Sequence, residues 1–586
     1  MEFYDSLRQA VPEAQEDLDA SKFTDDLLSK LIMHEDRERF SLLKKIASVR
    51  AKYEWDDIEF YSPYARSGGD KAFSIDDLTD NDYALLDDLE LDKTPAQLGL
   101  RIADILWAKK RNYKKGLYAA EMSYQLFREK VCEDESWYKC IPFLKHALGL
   151  AARLGSDKRD SILQDVCDRV IVINGEDAFL FSLSLIGVLI DQNWTEFKDI
   201  LLVLDKIIER SKDDPNKTGQ AYDLKVRIHQ KNHDSKSMEA SKIQYANYLV
   251  ARADLVNKKD INGLFRAEKN YEEAIHLYRN SGATGLAIEA HKKLIAIQKV
   301  IPNYMVPFST TQDLADYKNY TEELFKGKPF LRQINCLIAI TPQLKKEELK
   351  KEVMDGAVDP ISAIFGVGIK SDRGYTVAEL PPLISSSPTG DAHAIEKYMH
   401  RQAYQHEQIL GDTALKWGLE IIQQENEITE QSLRFLVDSN PVVPMGRETI
   451  ILHGLFQGII GNYYLALHIL APQVENLFRN IAEMSGAITI SLNDDDTSTV
   501  KLLSSIFKLP ELVDCYDEDI LFMFEGLLNE KVGANIRNEI AHGIMGAGKG
   551  NGGAARFFFC WVLKLLSFTA PNYNKLLQEL KKLSNM

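Results

Sequence analysis

The amino-acid sequence predicts an all-α protein in which an N-terminal helical-repeat-like array precedes a C-terminal helical bundle. Apolar residues recur three and four positions apart along almost the whole chain, which is the period of an amphipathic helix. Alternating strand-like runs are nearly absent. With 586 residues, of which 45% are hydrophobic, the chain is long enough for about two to four domains, each with its own core.

The first predicted domain covers residues 1–155. Within it, residues 98–128 carry the apolar stripes of amphipathic helices, interrupted around Asn112 and Gly116, and this pattern predicts a helical hairpin. The preceding stretch, residues 74–92, is crowded with aspartate and glutamate. We interpret it as a solvated connector, with an interaction surface as the alternative.

The second predicted domain, residues 156–354, continues as helical hairpins. In one part of it, small and aromatic residues lie where a tetratricopeptide-type helix pair packs such side chains: Tyr271, Ala274, Tyr278, Gly282, Ala287 and Ala290. The period is not clean elsewhere, so the prediction is a repeat-like array. Its concave face is a candidate surface for a protein partner, and plain scaffolding is the alternative.

An irregular junction is predicted at residues 355–394, because glycine, proline and serine are frequent there and the helical period is lost. Helical periodicity resumes at about Ile395. Residues 395–586 therefore form the last predicted domain, which is helical throughout.

Composition and charge limit the classes of function. The net charge of -16 excludes a protein whose whole surface binds polyanions, so any contact with nucleic acid is local. The six cysteines are scattered without a C-x-x-C pair, which argues against a disulfide framework and a zinc ribbon and indicates a reducing, cytoplasmic location. The N-terminus has no signal-peptide pattern. Residues 449–474 lack charged residues other than histidine, but their polar residues and glycines predict two buried helices and no membrane span.

Two tempting motifs do not predict a site. Residues 543–550 have the spacing of a phosphate-binding loop, but Gly550 stands where Ser or Thr must hold magnesium, so we interpret the stretch as a surface loop. His229 and His233 are four positions apart, yet only Asp234 is available as a further metal ligand. No metal site and no cofactor are predicted.

The segment 533–543, with the sequence GANIRNEIAHG, is the strongest functional signal. Apolar residues at four-residue spacing predict a helix with a glycine-rich stop beyond it: Ile536, Ile540 and Ile544. On this helix Arg537 and His542 are separated by about 140° of rotation, which a long arginine side chain can span.

These residue types suit the cleavage of a phosphodiester. Arg537 offers a cation for the charge that builds in the transition state, Asn538 an amide that orients, and His542 an imidazole that moves a proton near neutral pH. RNA carries its own nucleophile, the 2′-hydroxyl. The alternative is that Arg537 and His542 only tie the helix to its neighbours, for example through Glu475 or Glu539.

The end of the chain is basic within an acidic protein. From residue 533 to residue 586 there are seven basic and two acidic residues. Lys549 and Arg556 are the first two basic residues after the motif, and they are candidate RNA-binding residues.

The segment resembles a known family. Arg537 and Asn538, followed by His542, are similar to the R-x(4–6)-H motif of the HEPN superfamily, the higher-eukaryote and prokaryote nucleotide-binding domain. PMGRE at residues 444–448 and LHILAPQVENLFR at residues 467–479 resemble the preceding helices of one HEPN-like branch. That C-terminal domain is shared by many bacterial proteins and by the ER-membrane-associated RNA-degradation protein of animals. The resemblance covers residues 441–568.

The resemblance implies a bundle of about four helices that dimerises through the motif helix and joins two copies of the motif in one cleft. Active HEPN members are metal-independent endoribonucleases in toxin, antiviral-defence and RNA-decay systems, and they leave a 2′,3′-cyclic phosphate. By resemblance, His542 is the acid/base group, Arg537 stabilises the phosphate and the transition state, and Asn538 orients them. Glu475 and Arg479 are candidate supporting residues, an internal ion pair being the alternative.

Two other classes of function stay open. The first is a noncatalytic, dimeric helical scaffold that binds RNA or a nucleotide. The second is a structural interaction protein in which the N-terminal array carries all function.

Overall fold

The computed structural model confirms the all-α class. It describes residues 2–11, 18, 20–51, 61–63, 73–129, 137–155, 157–177, 180–256, 260–305, 313–356, 358, 360–371, 373–383, 392–493 and 497–584. Helices make up nearly all the regular structure of these residues, and the strands form three separate two-stranded antiparallel hairpins.

The chain divides into two compact units, Met1–Ile297 and Gln298–Met586. This division lies inside the predicted domain of residues 156–354. The boundaries predicted at residues 155, 354 and 394 stay predictions.

The first unit is built from fourteen described helices and one small hairpin. The helices are α1 (Phe3–Ala10), α2 (Asp25–Ser29), α3 (His34–Ala47), α4 (Asp80–Asp87), α5 (Ala96–Lys110), α6 (Tyr113–Glu129), α7 (Ile141–Arg153), α8 (Lys158–Ile173), α9 (Phe181–Asp191), α10 (Lys198–Arg210), α11 (Pro215–Lys231), α12 (Ser235–Leu255), α13 (Ile261–Asn280) and α14 (Thr284–Gln298). Strands β1 (Val49–Ala51) and β2 (Tyr61–Pro63) pair with each other.

The predicted hairpin at residues 98–128 is α5 followed by α6. The chain turns at Arg111, whose backbone is left-handed with φ 53°, and α6 packs back on α5. The acidic stretch before it contains helix α4, whose first turn is capped by Thr79. Asp76 and Asp80 form ion pairs with lysines of α5, so this stretch docks on the hairpin through its charges.

Helices α10 to α13 pack in chain order, α10 on α11, α11 on α12 and α12 on α13, as the helices of an array do. Tyr271, Ala274 and Tyr278 are buried as the repeat-like pattern requires. However, these helices have 13, 17, 21 and 20 residues, so they follow no fixed period. The repeat architecture therefore stays a prediction.

The second unit contains sixteen described helices and two hairpins. The helices are α15 (Ala315–Phe325), α16 (Phe330–Ile340), α17 (Lys346–Met354), α18 (Pro360–Phe365), α19 (Ala392–Asp412), α20 (Ala414–Glu425), α21 (Arg434–Val437), α22 (Glu448–Ile459), α23 (Tyr463–Met484), α24 (Leu503–Ile506), α25 (Pro510–Val513), α26 (Glu518–Leu528), α27 (Ile536–Ala541), α28 (Ala547–Gly550), α29 (Gly553–Ser567) and α30 (Pro571–Ser584). The hairpins are β3 (Val367–Lys370) with β4 (Thr376–Leu380), and β5 (Ile490–Leu492) with β6 (Ser498–Val500).

Helix α29 is the centre of this unit. Its aromatic run is completely buried, including Trp561, and α16, α19, α20, α22 and α23 pack around it. Gly411 of α19 lies so close to Gly553 that a Cβ atom on Gly411 would be 1.8 Å from the Gly553 carbonyl oxygen. The two helices therefore meet backbone to backbone at this point.

The predicted junction at residues 355–394 contains α18 and the β3–β4 hairpin, while residues 357, 359, 372 and 384–391 lie outside the described part. Leu380 of β4 is buried in a small core with residues of α17, α19 and α26. The junction thus contributes to the packing of the second unit and is not wholly irregular.

The uncharged stretch at residues 449–474 forms parts of two helices, α22 and α23, that pack against each other. In the described part of the chain, no single helix has the length and apolar composition to cross a membrane. The helical segments Ala547–Ser567 and Pro571–Glu579 have that length and apolar composition only when they are counted together, and the chain bends by 85° between them.

Candidate functional site

The motif helix α27 is held against the end of α26 by a close backbone contact. A Cβ atom on Gly533 would lie 2.4 Å from the carbonyl oxygen of Gly526, so only glycine fits there without a shift of the backbone. The backbone N–H of Asn535 donates to the same carbonyl oxygen at 3.3 Å. Asn535 is left-handed, with φ 52°, a conformation that asparagine tolerates better than most residues. These contacts fix where α27 begins.

The helix ends earlier than the isoleucine spacing predicts. Gly543 has φ 65°, its N–H donates to the carbonyl oxygen of Ile540, and the N–H of Ile544 donates to that of Glu539. This is the hydrogen-bond pattern of a Schellman motif, which stops a helix. The prediction that Ile544 continues the apolar stripe is therefore wrong: Ile544 lies beyond the helix and is 44% exposed. A glycine does stop the helix, but it is Gly543 and not the glycine-rich stretch that was predicted to follow Ile544.

Arg537 is anchored to helix α23. Its Nε donates to Glu475 Oε2 at 2.8 Å, and its Nη1 donates to Asn538 Oδ1 at 3.1 Å. The Arg537 side chain is 31% exposed, whereas that of Glu475 is 14% exposed. One edge of the guanidinium is thus fixed inside the protein, and the side chain still reaches solvent.

Asn538 has all its hydrogen-bonding groups engaged. Its Nδ2 lies within 3.2 Å of three acceptors: the carbonyl oxygen and Oδ1 of Asn529, and Oδ1 of Asn535. Its Oδ1 accepts from Arg537. The hydrogen bonds that Nδ2 donates therefore fix the orientation of the Asn538 amide. Its Oδ1 then holds the guanidinium of Arg537 from a second side.

Glu475 binds two arginines at once. Its Oε1 accepts from Arg479 Nη2 at 3.0 Å, one turn along α23, while Oε2 accepts from Arg537. Arg479 in turn donates from Nη1 to the carbonyl oxygen of Lys501 at 3.0 Å, just after β6. The internal ion pair and the contact with the motif, which were alternatives in the sequence, exist together because a carboxylate has two oxygens.

His542 is the C-cap of α27 and is exposed. Its ring makes no hydrogen bond or ion pair with any residue in the described part of the chain. It lies at the opposite end of α27 from Asn535, and the side-chain hydrogen bonds of Arg537 go to Glu475 and Asn538. The structure thus brings together Arg537, Asn538, Glu475 and Arg479, and leaves the imidazole of His542 open to solvent at the end of the same helix.

The two candidate RNA-binding residues are both paired with carboxylates. Lys549 Nζ lies 2.5 Å from Glu539 Oε1, and Arg556 Nη1 lies 2.5 Å from Asp412 Oδ1. Neither contacts Arg537 in the described structure. Lys549 instead joins a different surface, because Glu539 projects from the motif helix about 200° away from Arg537.

That surface encloses a cavity of about 560 Å³ between the β3–β4 hairpin, α19 and the segments on either side of α27. Five basic residues line it: Lys370, Arg373, Arg401, Lys531 and Lys549. Apart from Lys549, these residues were not recognised in the sequence, because they come from distant segments and form no local charge run. Burial raises the pKa of Tyr404, whose ring lies in the wall of the cavity.

The glycine-rich stretch after the motif is not an open loop throughout. A Cβ atom on Gly550 would lie 2.4 Å from the ring of Tyr464, and one on Gly553 would lie 2.1 Å from the carbonyl oxygen of Gln408. Both glycines are buried. They allow α28 and the start of α29 to pack closely on their neighbours, whereas Gly543, Gly546 and Gly548 are exposed, so the surface-loop interpretation fits only the first part of this stretch.

The pair His229 and His233 does not converge on a common ligand. His229 is buried in α11, and burial lowers its pKa. His233 lies in the turn after α11 with φ 54°, and Asp234 caps α12 by accepting from the N–H of Ser237. In the described part of the chain, no three His, Cys, Asp or Glu side chains are grouped as a metal site requires.

Comparison with known proteins gives one result for the N-terminal part of the chain. Residues 5–162 match a family described as Domain of unknown function (DUF7380). The match ends long before α27 and says nothing of the motif. No curated protein and no solved structure matches the chain.

Proposed function

We propose that the protein is a metal-independent endoribonuclease whose site consists of Arg537, Asn538 and His542. The 2′-hydroxyl of RNA loses its proton to a base, its oxygen bonds to phosphorus, and the bond from phosphorus to the 5′-oxygen breaks. The 5′-oxygen takes up a proton, so the products carry a 2′,3′-cyclic phosphate and a 5′-hydroxyl. His542, supplied by both copies of a dimer, is the acid/base group.

The observation that carries the proposal is the hydrogen-bond network around Arg537. Glu475 and Asn538 hold the guanidinium on two sides, and the side chain remains partly exposed. A cation fixed before the substrate arrives stabilises the negative charge of the transition state without reorganisation. The imidazole of His542 is exposed and has no hydrogen-bond or ion-pair partner in the described residues, so a substrate can reach it.

The dimer in this proposal is supported by an apolar surface beside the network. Side chains of the β5–β6 hairpin and its flanks are 51–73% exposed: Ile488, Ile490, Leu492, Val500 and Leu502. Ile490 and Val500 are cross-strand partners, and Leu492 lies two residues from Ile490, so these three share one face. Arg479 binds the carbonyl oxygen of Lys501, which links this surface to Glu475 and Arg537. An exposed apolar face of this kind typically marks a protein interface.

The proposal extends to the cellular role. The N-terminal unit would restrain the nuclease until a partner binds to it, since an unregulated ribonuclease would harm its own cell. A cytoplasmic location and a role in antiviral defence or toxin-type RNA decay belong to the same proposal. The five cysteines in the described part form no disulfide bond, which supports a reducing compartment.

The test of catalysis is cleavage of total RNA and tRNA by the purified chain in the presence of EDTA. We expect His542→Ala to lower the rate by about 10²–10⁴-fold and Arg537→Ala by about 10²–10³-fold. Both variants should fold, because His542 is exposed and Glu475 keeps Arg479 as a partner.

The matched controls are His453→Ala and Arg434→Ala, which remove an exposed histidine and an exposed arginine that hydrogen-bond to carboxylates elsewhere in the same unit. They should cleave at the wild-type rate. Undiminished activity of both motif variants would remove the proposal. Salt-sensitive retention of RNA without any product would favour the noncatalytic binding scaffold.

The test of the dimer is the mass in solution of the double variant Ile490→Asp with Leu492→Asp. We expect a dimer for the wild type and a monomer for this variant, together with loss of cleavage. Met354→Asp, which places a charge on another exposed apolar side chain of the unit, should remain dimeric. A monomeric and active wild type would contradict the composite site.

A further inference from the structure

The cavity beside the motif helix carries more positive charge than its surroundings neutralise. Of its five basic side chains, Arg373, Arg401 and Lys531 form no ion pair with any residue in the described part of the chain. Lys549 is neutralised by Glu539, the carboxylate that lines the same cavity. Three cations thus line one small space without a carboxylate partner, and because Arg373 and Lys531 are exposed to solvent they are accessible to an anion.

Two further features of the wall indicate a ligand. The hydroxyl oxygen of Ser371, which lines the cavity, is buried and has no hydrogen-bond partner among the described residues. The ring of Tyr404 has the guanidinium of Arg401 at 5.5 Å and the ammonium of Lys549 at 6.0 Å from its centroid. The wall therefore offers charged donors and an aromatic surface, with an unpartnered buried hydroxyl beside them.

We propose that this cavity binds a small ligand that carries two or three phosphate groups. Its volume of about 560 Å³ lies within the usual range for small-molecule sites, roughly 300–1,000 Å³. Arginine binds phosphate oxygens through paired N–H groups, and lysine binds them as a point charge. A ligand with two or three phosphate groups balances the charge of the three unpaired cations better than a ligand with a single carboxylate does.

The ligand would act on the proposed ribonuclease, and this part of the inference rests on the proposed function. A phosphate group in the cavity competes with Glu539 for Lys549. Glu539 belongs to α27, next to Asn538 in sequence, and its backbone carbonyl accepts the hydrogen bond that ends the helix. Occupancy of the cavity therefore alters the ion pair that ties the end of the motif helix to α28, and with it the position of His542.

The experiment is calorimetric titration of the full-length chain with sodium tripolyphosphate and, separately, with adenosine triphosphate. Both probes share the phosphate chemistry, and tighter binding of the nucleotide would show that its base also contacts the wall. The double variant Arg401→Gln with Lys531→Gln should raise the Kd of both probes by about tenfold or more. The control Lys416→Gln with Lys575→Gln removes the same charge from one partly exposed and one exposed position outside the cavity and should leave the Kd within about twofold.

Lys531→Gln alone is the second variant, because Lys531 is exposed and its replacement should not disturb folding. The effect on the motif is read independently of cleavage, as hydrogen exchange at residues 536–545 with and without tripolyphosphate. Absence of binding to the wild type, or equal binding by the cavity and control variants, overturns the site. Binding that changes neither hydrogen exchange at α27 nor the cleavage rate overturns the regulation. Binding with altered exchange but no cleavage of RNA supports the site and contradicts the ribonuclease.

Discussion

Glu407 makes the stability of the second unit depend on pH. Its side chain is completely buried on α19, one turn before the contact between Gly411 and Gly553, and its Oε2 has no hydrogen-bond partner among the described residues. Burial raises the pKa of this carboxyl from 4.5 to about 8. Between these pH values the folded chain keeps the proton and the unfolded chain has lost it. Stability therefore falls as pH rises, by about 1.4 kcal/mol per pH unit.

Glu407→Gln keeps the shape of the neutral acid and removes the titration. The difference in the free energy of unfolding between the variant and the wild type should shift by about 3 kcal/mol in favour of the variant from pH 5.5 to pH 7.5. In thermal unfolding, its Tm should rise above that of the wild type by roughly 5–10 °C more at pH 7.5 than at pH 5.5. Glu420→Gln, at a half-exposed position of α20, should show a constant difference. If the Tm difference between Glu407→Gln and the wild type is the same at every pH, the carboxyl is not held neutral and the reasoning fails.

The remaining predictions concern how the motif is held. Glu475→Gln should loosen the motif arginine and lower the rate of RNA cleavage about tenfold or more, with a loss of about 1–2 kcal/mol in stability, measured by single-turnover assays and urea unfolding. Control substitution of Arg479 to Gln, which leaves the motif contact in place, should affect cleavage less. Gly533→Ala should destabilise the unit by about 1–3 kcal/mol, because its Cβ meets the backbone of Gly526. Gly546→Ala has open space around its Cβ and should change the free energy of unfolding by less than about 0.5 kcal/mol.

The sequence predicted those features that depend on local periodicity and chemistry. The helical class and the α5–α6 hairpin follow from apolar spacing, and the contact of Arg537 with Glu475 was among the alternatives that residue chemistry allowed. The end of α27 was missed because the spacing of isoleucines extends past Gly543, whereas the left-handed backbone of that glycine stops the helix.

Features that depend on packing between distant segments could not be predicted. The cavity joins Arg373, Arg401 and Lys531, which belong to separate segments and share no motif. The buried glycines Gly550 and Gly553 resemble loop residues in the sequence, and only the close approach of Tyr464 and Gln408 explains them. Contacts of this kind arise from tertiary structure, for which one sequence gives no signal.

The most direct test of the account is the chemistry of the RNA ends that the protein leaves in EDTA. RNA cut by the wild type should end in a 2′,3′-cyclic phosphate, as attack by the 2′-hydroxyl requires, and the His542→Gln variant should yield no such ends. Fragments with a 3′-hydroxyl, or cyclic ends produced equally by wild type and variant, would contradict the proposed role of Arg537, Asn538 and His542.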